Sequence, residues 1–245
     1  YSAGNTGGWH YTATVYGEGG EIVGPDGKAA FNDATGKRVA QNLYDMRWKD
    51  DSMGKTQLLK WGDLQKQMAT DKLGMFLAAP DDITYMVQQL GADYANFGMG
   101  PMPGQKATLF GGNSYMIKKG ISSDKIKAAV AWLDLKTLSP GKASSSGPAP
   151  RPTVSRSACR SPPSSPAPPR RRTTRSAPTT PPCRSKNFRA FTDNPVDGKA
   201  EPPKAQEVYK VLDTVMSTLL TNKDADIDKL LDTAEQQVNQ VLANQ

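Results

Sequence analysis

Residues 143–185 set the first limit on any fold this chain adopts. Their 43 positions hold 11 Pro, 10 Ser, 8 Arg, 5 Ala, 5 Thr, 2 Cys, one Gly and one Val, and no Leu, Ile, Met, Phe, Tyr or Trp. A segment so poor in apolar surface cannot offset the entropy of ordering it, and its prolines remove amide donors that helices and sheets use. A core must therefore come from residues 1–142 and 186–245. The same stretch distorts the charge. The 245 residues carry 31 Lys plus Arg against 24 Asp plus Glu, a formal +7, yet outside 143–185 the balance is 23 basic to 24 acidic. Lys outnumbers Arg by 20 to 3 there, whereas the segment uses Arg alone. Arg, Pro, Ala, Ser and Thr can all be encoded by GC-rich codons, so the segment reads as a GC-rich gene translated out of frame from near Ala143 to near Lys186. A disordered Pro-rich spacer is the alternative, and an Arg-rich nucleic-acid tail a third. Nucleic-acid binding is disfavoured, because such a face spreads its basic groups over folded surface and interleaves them with aromatics.

No run of the sequence reaches the roughly 18 apolar residues of a membrane span, and residues 1–8 lack the basic and apolar regions of a signal peptide. The first residue is Tyr1, and the expectation is a chain whose beginning is missing. Both cysteines, Cys159 and Cys183, fall inside the odd segment. A folded part without thiols is compatible with an exported bacterial protein.

On either side of the segment the pattern is α/β. Val39, Leu43 and Met46 predict a helix over 36–48, and Leu58, Leu59, Leu64 and Met68 a second. The apolar run 73–78, stopped by Pro80, predicts a buried strand, with Asp81 or Asp82 capping a helix through Ile83, Met86, Val87 and Leu90. Residues 94–102 and 109–117 predict two more strands around a Pro-Gly turn, and a helix follows through Ile126, Ala129, Val130, Leu133 and Leu135. Two helices with clean apolar stripes close the chain, one through Val208, Val211, Leu212, Val215 and Leu219, the other through Ile227, Leu230, Leu231, Ala234, Val238 and Val241.

Enzyme chemistry finds little purchase. His10 is the sole histidine, and no serine or cysteine of the folded part sits in a nucleophile-elbow pattern. One histidine and two cysteines in a Pro-rich tract cannot close a zinc site, and no metal or cofactor is expected. Asp224, Asp226, Asp228, Asp232 and Glu235 fall on ligand positions of a calcium loop, but its obligatory sixth-position glycine is Lys229 here. Those carboxylates read instead as negative charge at a helix N-terminus. The glycines at 4–8, 17–20 and 111–112 lack the lysine or spacing of a phosphate loop and read as turns or close backbone approaches. Trp9, beside the first group, suits either core packing or stacking on the CH face of a sugar.

The order of several soft motifs resembles the C-terminal half of the family 1 extracellular solute-binding proteins, the sugar-binding components of bacterial ABC importers. Asn5-Thr-Gly-Gly-Trp9 and Gly19-Gly20 come first, then Phe31-Asn32-Asp33 and Asp45-Met-Arg-Trp48. Asp71-Lys-Leu-Gly-Met75 and Ala79-Pro80-Asp81-Asp82 follow, then Gly100-Pro101-Met102-Pro103, Phe110-Gly-Gly-Asn-Ser114 and a helix over 123–138 bearing Trp132. The likeness covers residues 1–142 and 187–245; 143–185 depart from it.

The resemblance implies an α/β periplasmic-binding-protein-like type II lobe, the C-terminal half of a two-lobed protein, built from residues 1–142 and closed by helices in 186–245. It implies hinge-crossing strands near Trp9 and near Phe110 to Ser114, with a mono- or oligosaccharide held between lobes. Trp9 is the expected stacking platform, with His10 contributing. Asp81 and Asp82 accept hydroxyl hydrogen bonds or cap a helix; Gly111 and Gly112 bring backbone amides to the ligand or simply turn; Asn113 and Ser114 add side-chain donors. The implied protein is a monomer and not an enzyme. It lies on the extracellular face of the membrane through a lipid anchor upstream, and its partners are the permease subunits. A glycerol phosphodiester or polyamine is the alternative solute, but phosphate favours Arg forks and the folded part has only Arg38, Arg47 and Arg189.

Overall fold

Helix α1 (Thr6–Gly17) is where the structure departs furthest from the sequence reading. The Trp9 region, expected as a hinge-crossing strand, is helical, and of the two readings of its glycines, turn or close backbone approach, the second holds at Gly8. A Cβ on Gly8 would stand 2.1 Å from the backbone carbonyl oxygen of Tyr209, so only glycine lets α1 lie this close to α7 (Ala205–Thr221). Asp213 of α7 accepts a hydrogen bond from the Gly7 amide at 3.0 Å, satisfying one of the N-terminal donors a helix leaves open. Because α1 is buried on several sides, it shows no single apolar stripe.

The computed structural model describes residues 6–53, 58–111, 115–134 and 185–244. Residues 143–184, with the expected frame-error segment, lie outside them, as do Gly112, Asn113 and Ser114. The described residues fall into two units, 6–110 with 185–244, and 111 with 115–134.

In the first unit, α1 and α7 pack with α2 (Ala34–Trp48) and α8 (Ile227–Ala243) around a core that includes Tyr11, Val15, Phe31, Val39, Leu212, Leu219, Leu231 and Val238. The predicted helices of this core all form, and aspartates pin the starts of two of them. Asp33 caps α2 by accepting the Gly36 amide at 2.8 Å, and Asp226 caps α8 by accepting the Lys229 amide at 3.1 Å. The acidic run at 224–228 thus serves a helix start. Tyr11 donates to the Gly36 carbonyl at 3.0 Å, and the Trp48 indole donates to the Leu219 carbonyl at 2.8 Å, joining α2 to α1 and α7. A second, smaller cluster holds Ile83, Met86, Phe97 and Phe188, and draws on α3 (Trp61–Ala69) and α4 (Asp81–Leu90).

The sheet differs from expectation. Among the described residues it has two strands, β1 (Ala107–Phe110) and β2 (Asp197–Ala200), paired in parallel with Ala107 opposite Asp197. Residues 73–78 are not a strand, and Met75 is 83% exposed, so the apolar run that predicted one is not buried as a unit. Residues 94–102 fail for a local reason. Asp93 accepts the Ala95 amide at 2.9 Å and starts a short 3-10 turn, Tyr94–Asn96, and the Met99 amide turns to the Asn187 carbonyl at 3.1 Å. Of residues 109–117, only Leu109 and Phe110 are in β1, and 115–117 are not strand. A short helix, α6 (Arg189–Thr192), precedes β2.

The second unit contains α5 (Ser123–Leu133), begun by Ser122, with Tyr115 and Trp132 meeting edge to face at 6.4 Å. Its expected apolar stripe is present, but no residue of α5 is buried. No described helix is long and apolar enough to cross a membrane.

Candidate functional site

Three elements bring an aromatic cluster together. Helix α1 presents Trp9 and His10, α3 begins with Trp61, and the irregular stretch before α4 supplies Phe76. Trp9 and Trp61 stand nearly perpendicular, at 82° with ring centroids 6.3 Å apart, forming two walls of a corner. His10 lies 5.3 Å from Trp9 and 5.5 Å from Trp61, and Phe76 adjoins Trp61 at 5.6 Å. Trp9, Trp61 and Phe76 are each half-buried. Edge-to-face packing of this kind adds roughly 0.5–1.5 kcal/mol per pair beyond burial.

His10 is turned into the protein. It is 1% exposed, and its Nε2–H donates to the Leu77 carbonyl at 3.2 Å, fixing the irregular stretch to α1. Burial drives its pKa down to about 4, with the Leu77 bond opposing the shift, so the ring is neutral at neutral pH. Its role is support beneath the corner.

The expected cap at Asp81 or Asp82 is also corrected. Pro80 occupies the cap position of α4 with no side-chain cap bond, and both aspartates are already helical. Asp82 reaches backward to accept the Ala79 amide on Oδ2 at 3.0 Å. Its Oδ1 accepts the Gln65 amide at 2.6 Å and the Trp61 indole N–H at 3.1 Å. Only 6% exposed, it is a buried hub between α3 and α4. Burial pushes its carboxyl above the usual range while these three donors pull it back. Asp81 is exposed at the start of α4. Gly111 is exposed too and belongs to the other unit.

Sequence reasoning passed over Trp61, Phe76 and Gln65. A signal was available, since Trp61 and Gln65 lie four apart on the predicted second helix and share its face with Leu64 and Met68. The corner has the makings of a binding surface: two indole walls suited to CH groups, with an exposed carboxylate nearby in sequence. Among the described residues no group of three His, Cys, Asp or Glu could hold a metal. A surface groove at Gly27, Lys28, Asn239 and Leu242 shares no residue with the cluster.

Comparison with known proteins gives two findings. The family model for bacterial extracellular solute-binding proteins matches residues 1–138. Among solved structures, the chain is similar to an ABC transporter solute binding protein from Thermotoga lettingae TMO, crystallised with α-D-tagatose, at a TM-score of 0.60 and 16% identity. The match covers 99% of this chain and 58% of that one, and at this identity the likeness is one of fold. No curated protein matches the chain.

Proposed function

Because the chain belongs to the bacterial extracellular solute-binding protein family, we propose that it supplies the C-terminal lobe of a carbohydrate-binding component of an ABC importer. In this reading, residues 1–142 and 186–245 form the lobe and 143–185 interrupt it. The protein works outside the cell membrane and hands its sugar to the permease subunits. Closing over the ligand converts occupancy into a shape the permease reads.

The observation that carries the reading is the Trp9–Trp61 corner, two half-buried indoles at 82°. A sugar ring stacks its CH face on such a wall and leaves its hydroxyls to polar groups. We assign that polar role to Asp81, exposed at the start of α4. Asp82 is excluded from it by its three protein donors. The same commitment favours binding over hydrolysis, because a glycosidase needs two available carboxylates about 5–10 Å apart. The similar structure's tagatose supports a monosaccharide as the first probe.

Calorimetric titration with α-D-tagatose and a panel of mono- and oligosaccharides tests the reading. Trp9→Ala is expected to weaken binding of the preferred sugar by at least about 1 kcal/mol, roughly fivefold. Equal affinity in the variant removes Trp9 from the site, and binding of no sugar removes the function.

A further inference from the structure

The corner has a device beneath it that fixes its angle. We infer that Asp82 is the positioning residue of the Trp9–Trp61 corner, holding the Trp61 ring near-perpendicular to Trp9 through the indole N–H, with its bond from Gln65 on the same helix anchoring the carboxylate to α3. The functional meaning of this rests on the reading that the corner meets the sugar.

Three facts support it. Asp82 accepts three hydrogen bonds on two oxygens, two of them from α3 and one from the Ala79 backbone at the start of its own helix. Each donor needs an acceptor, so both oxygens must be acceptors, and only a carboxylate of this length provides that. An asparagine would turn its own N–H₂ toward either the Ala79 amide or the Trp61 and Gln65 donors. Second, the hub is buried, and a bond there is held more tightly than one in water. Third, with its N–H donated to Asp82, Trp61 meets a ligand through ring carbons alone. The wall then selects an apolar CH face and offers no hydroxyl acceptor a donor.

The test uses the chain labelled with 5-fluorotryptophan, whose four tryptophans, Trp9, Trp48, Trp61 and Trp132, are assigned by single Trp→Phe variants. Asp82→Asn is expected to shift the fluorine resonances of Trp61 and Trp9 and to leave Trp48, which is bonded to Leu219 in the large core, in place. In a Trp61→Phe background, Asp82→Asn is expected to leave Trp9 unmoved. Static Trp61 and Trp9 signals overturn the inference, as does a Trp48 shift of equal size, which marks a general structural role. Persistence of the Trp9 shift in the Trp61→Phe background overturns it as well. If Asp82→Asn fails to fold, Gln65→Leu keeps the carboxylate and carries the test, with a smaller shift of the same two resonances expected and no shift overturning it. Titrating the same samples with α-D-tagatose separates the two claims. A roughly fivefold to tenfold loss of affinity in Asp82→Asn agrees with both, whereas moved resonances without a sugar response in any variant sink the sugar reading and leave the role of Asp82 standing.

Discussion

The two cores of the first unit both carry directed hydrogen bonds and differ in how much apolar burial stands behind them. The larger, among α1, α2, α7 and α8, is a helix sandwich filled by side chains such as Leu212, Leu219, Leu231 and Val238, with Gly8 seated against the backbone of Tyr209. The smaller gathers Ile83, Met86, Phe97 and Phe188 under α3 and α4. It leans on directed polar bonds, His10 to Leu77 and Asp82 to Trp61, Gln65 and Ala79. The aromatic corner takes one wall from α1 and the other from α3. Burial is non-directional and gives stability, while hydrogen bonds are directional and fix an angle. A binding surface placed on the thinly buried side can adjust without unfolding the rest.

The comparison can be broken most forcefully in the large core. Leu212→Ala is expected to cost about 4 kcal/mol of global stability in urea denaturation, through lost burial and the cavity left among packed helices. A cost below about 1 kcal/mol contradicts the assignment of that core. Next comes acid. The folded pKa of His10 lies near 4, below the ordinary 6.5, so the fold favours the neutral ring. Its contribution is complete above about pH 6.5 and is lost as pH falls toward about 4, by about 2 kcal/mol at pH 5 and roughly 3 at pH 4. His10→Gln is expected to flatten the loss between about pH 7 and pH 5, and an unchanged slope shows that another group causes it. Smallest is the thin core. Met86→Ala is expected to cost about 2 kcal/mol and to raise amide exchange in α3 and α4 while leaving α7 and α8 protected. Uniform loss of protection would make the two cores one cooperative unit.

Much of the large core could be read from the sequence. Stripes such as Val208, Leu212, Val215 and Leu219 mark a helix with one buried face, and α2, α4, α7 and α8 all appear where periodicity puts them. Helix α1 was hidden because Gly7 and Gly8 look like turn residues when the close partner, Tyr209, is some 200 positions away. No strand forms at 73–78 because a short apolar run specifies neither burial nor a ladder partner, as exposed Met75 shows, and none forms at 94–102 because Asp93 starts a 3-10 turn there. At the site, Trp9 was legible as an aromatic beside glycines, while Trp61 and the inward turn of His10 and Asp82 were not. Whether a polar side chain faces a cleft or a buried donor depends on contacts such as Leu77 to His10, which no local pattern encodes.

The most direct test of the central claim is saturation-transfer difference NMR on α-D-tagatose, or on the best sugar of the panel, with the whole chain. The account predicts saturation concentrated on the CH protons of one ring face, strongly reduced in Trp9→Ala and in Trp61→Ala and retained in Trp48→Phe. Absence of saturation for every sugar, or a pattern unchanged when Trp9 and Trp61 are removed, would contradict the aromatic corner as the place where this protein meets its ligand.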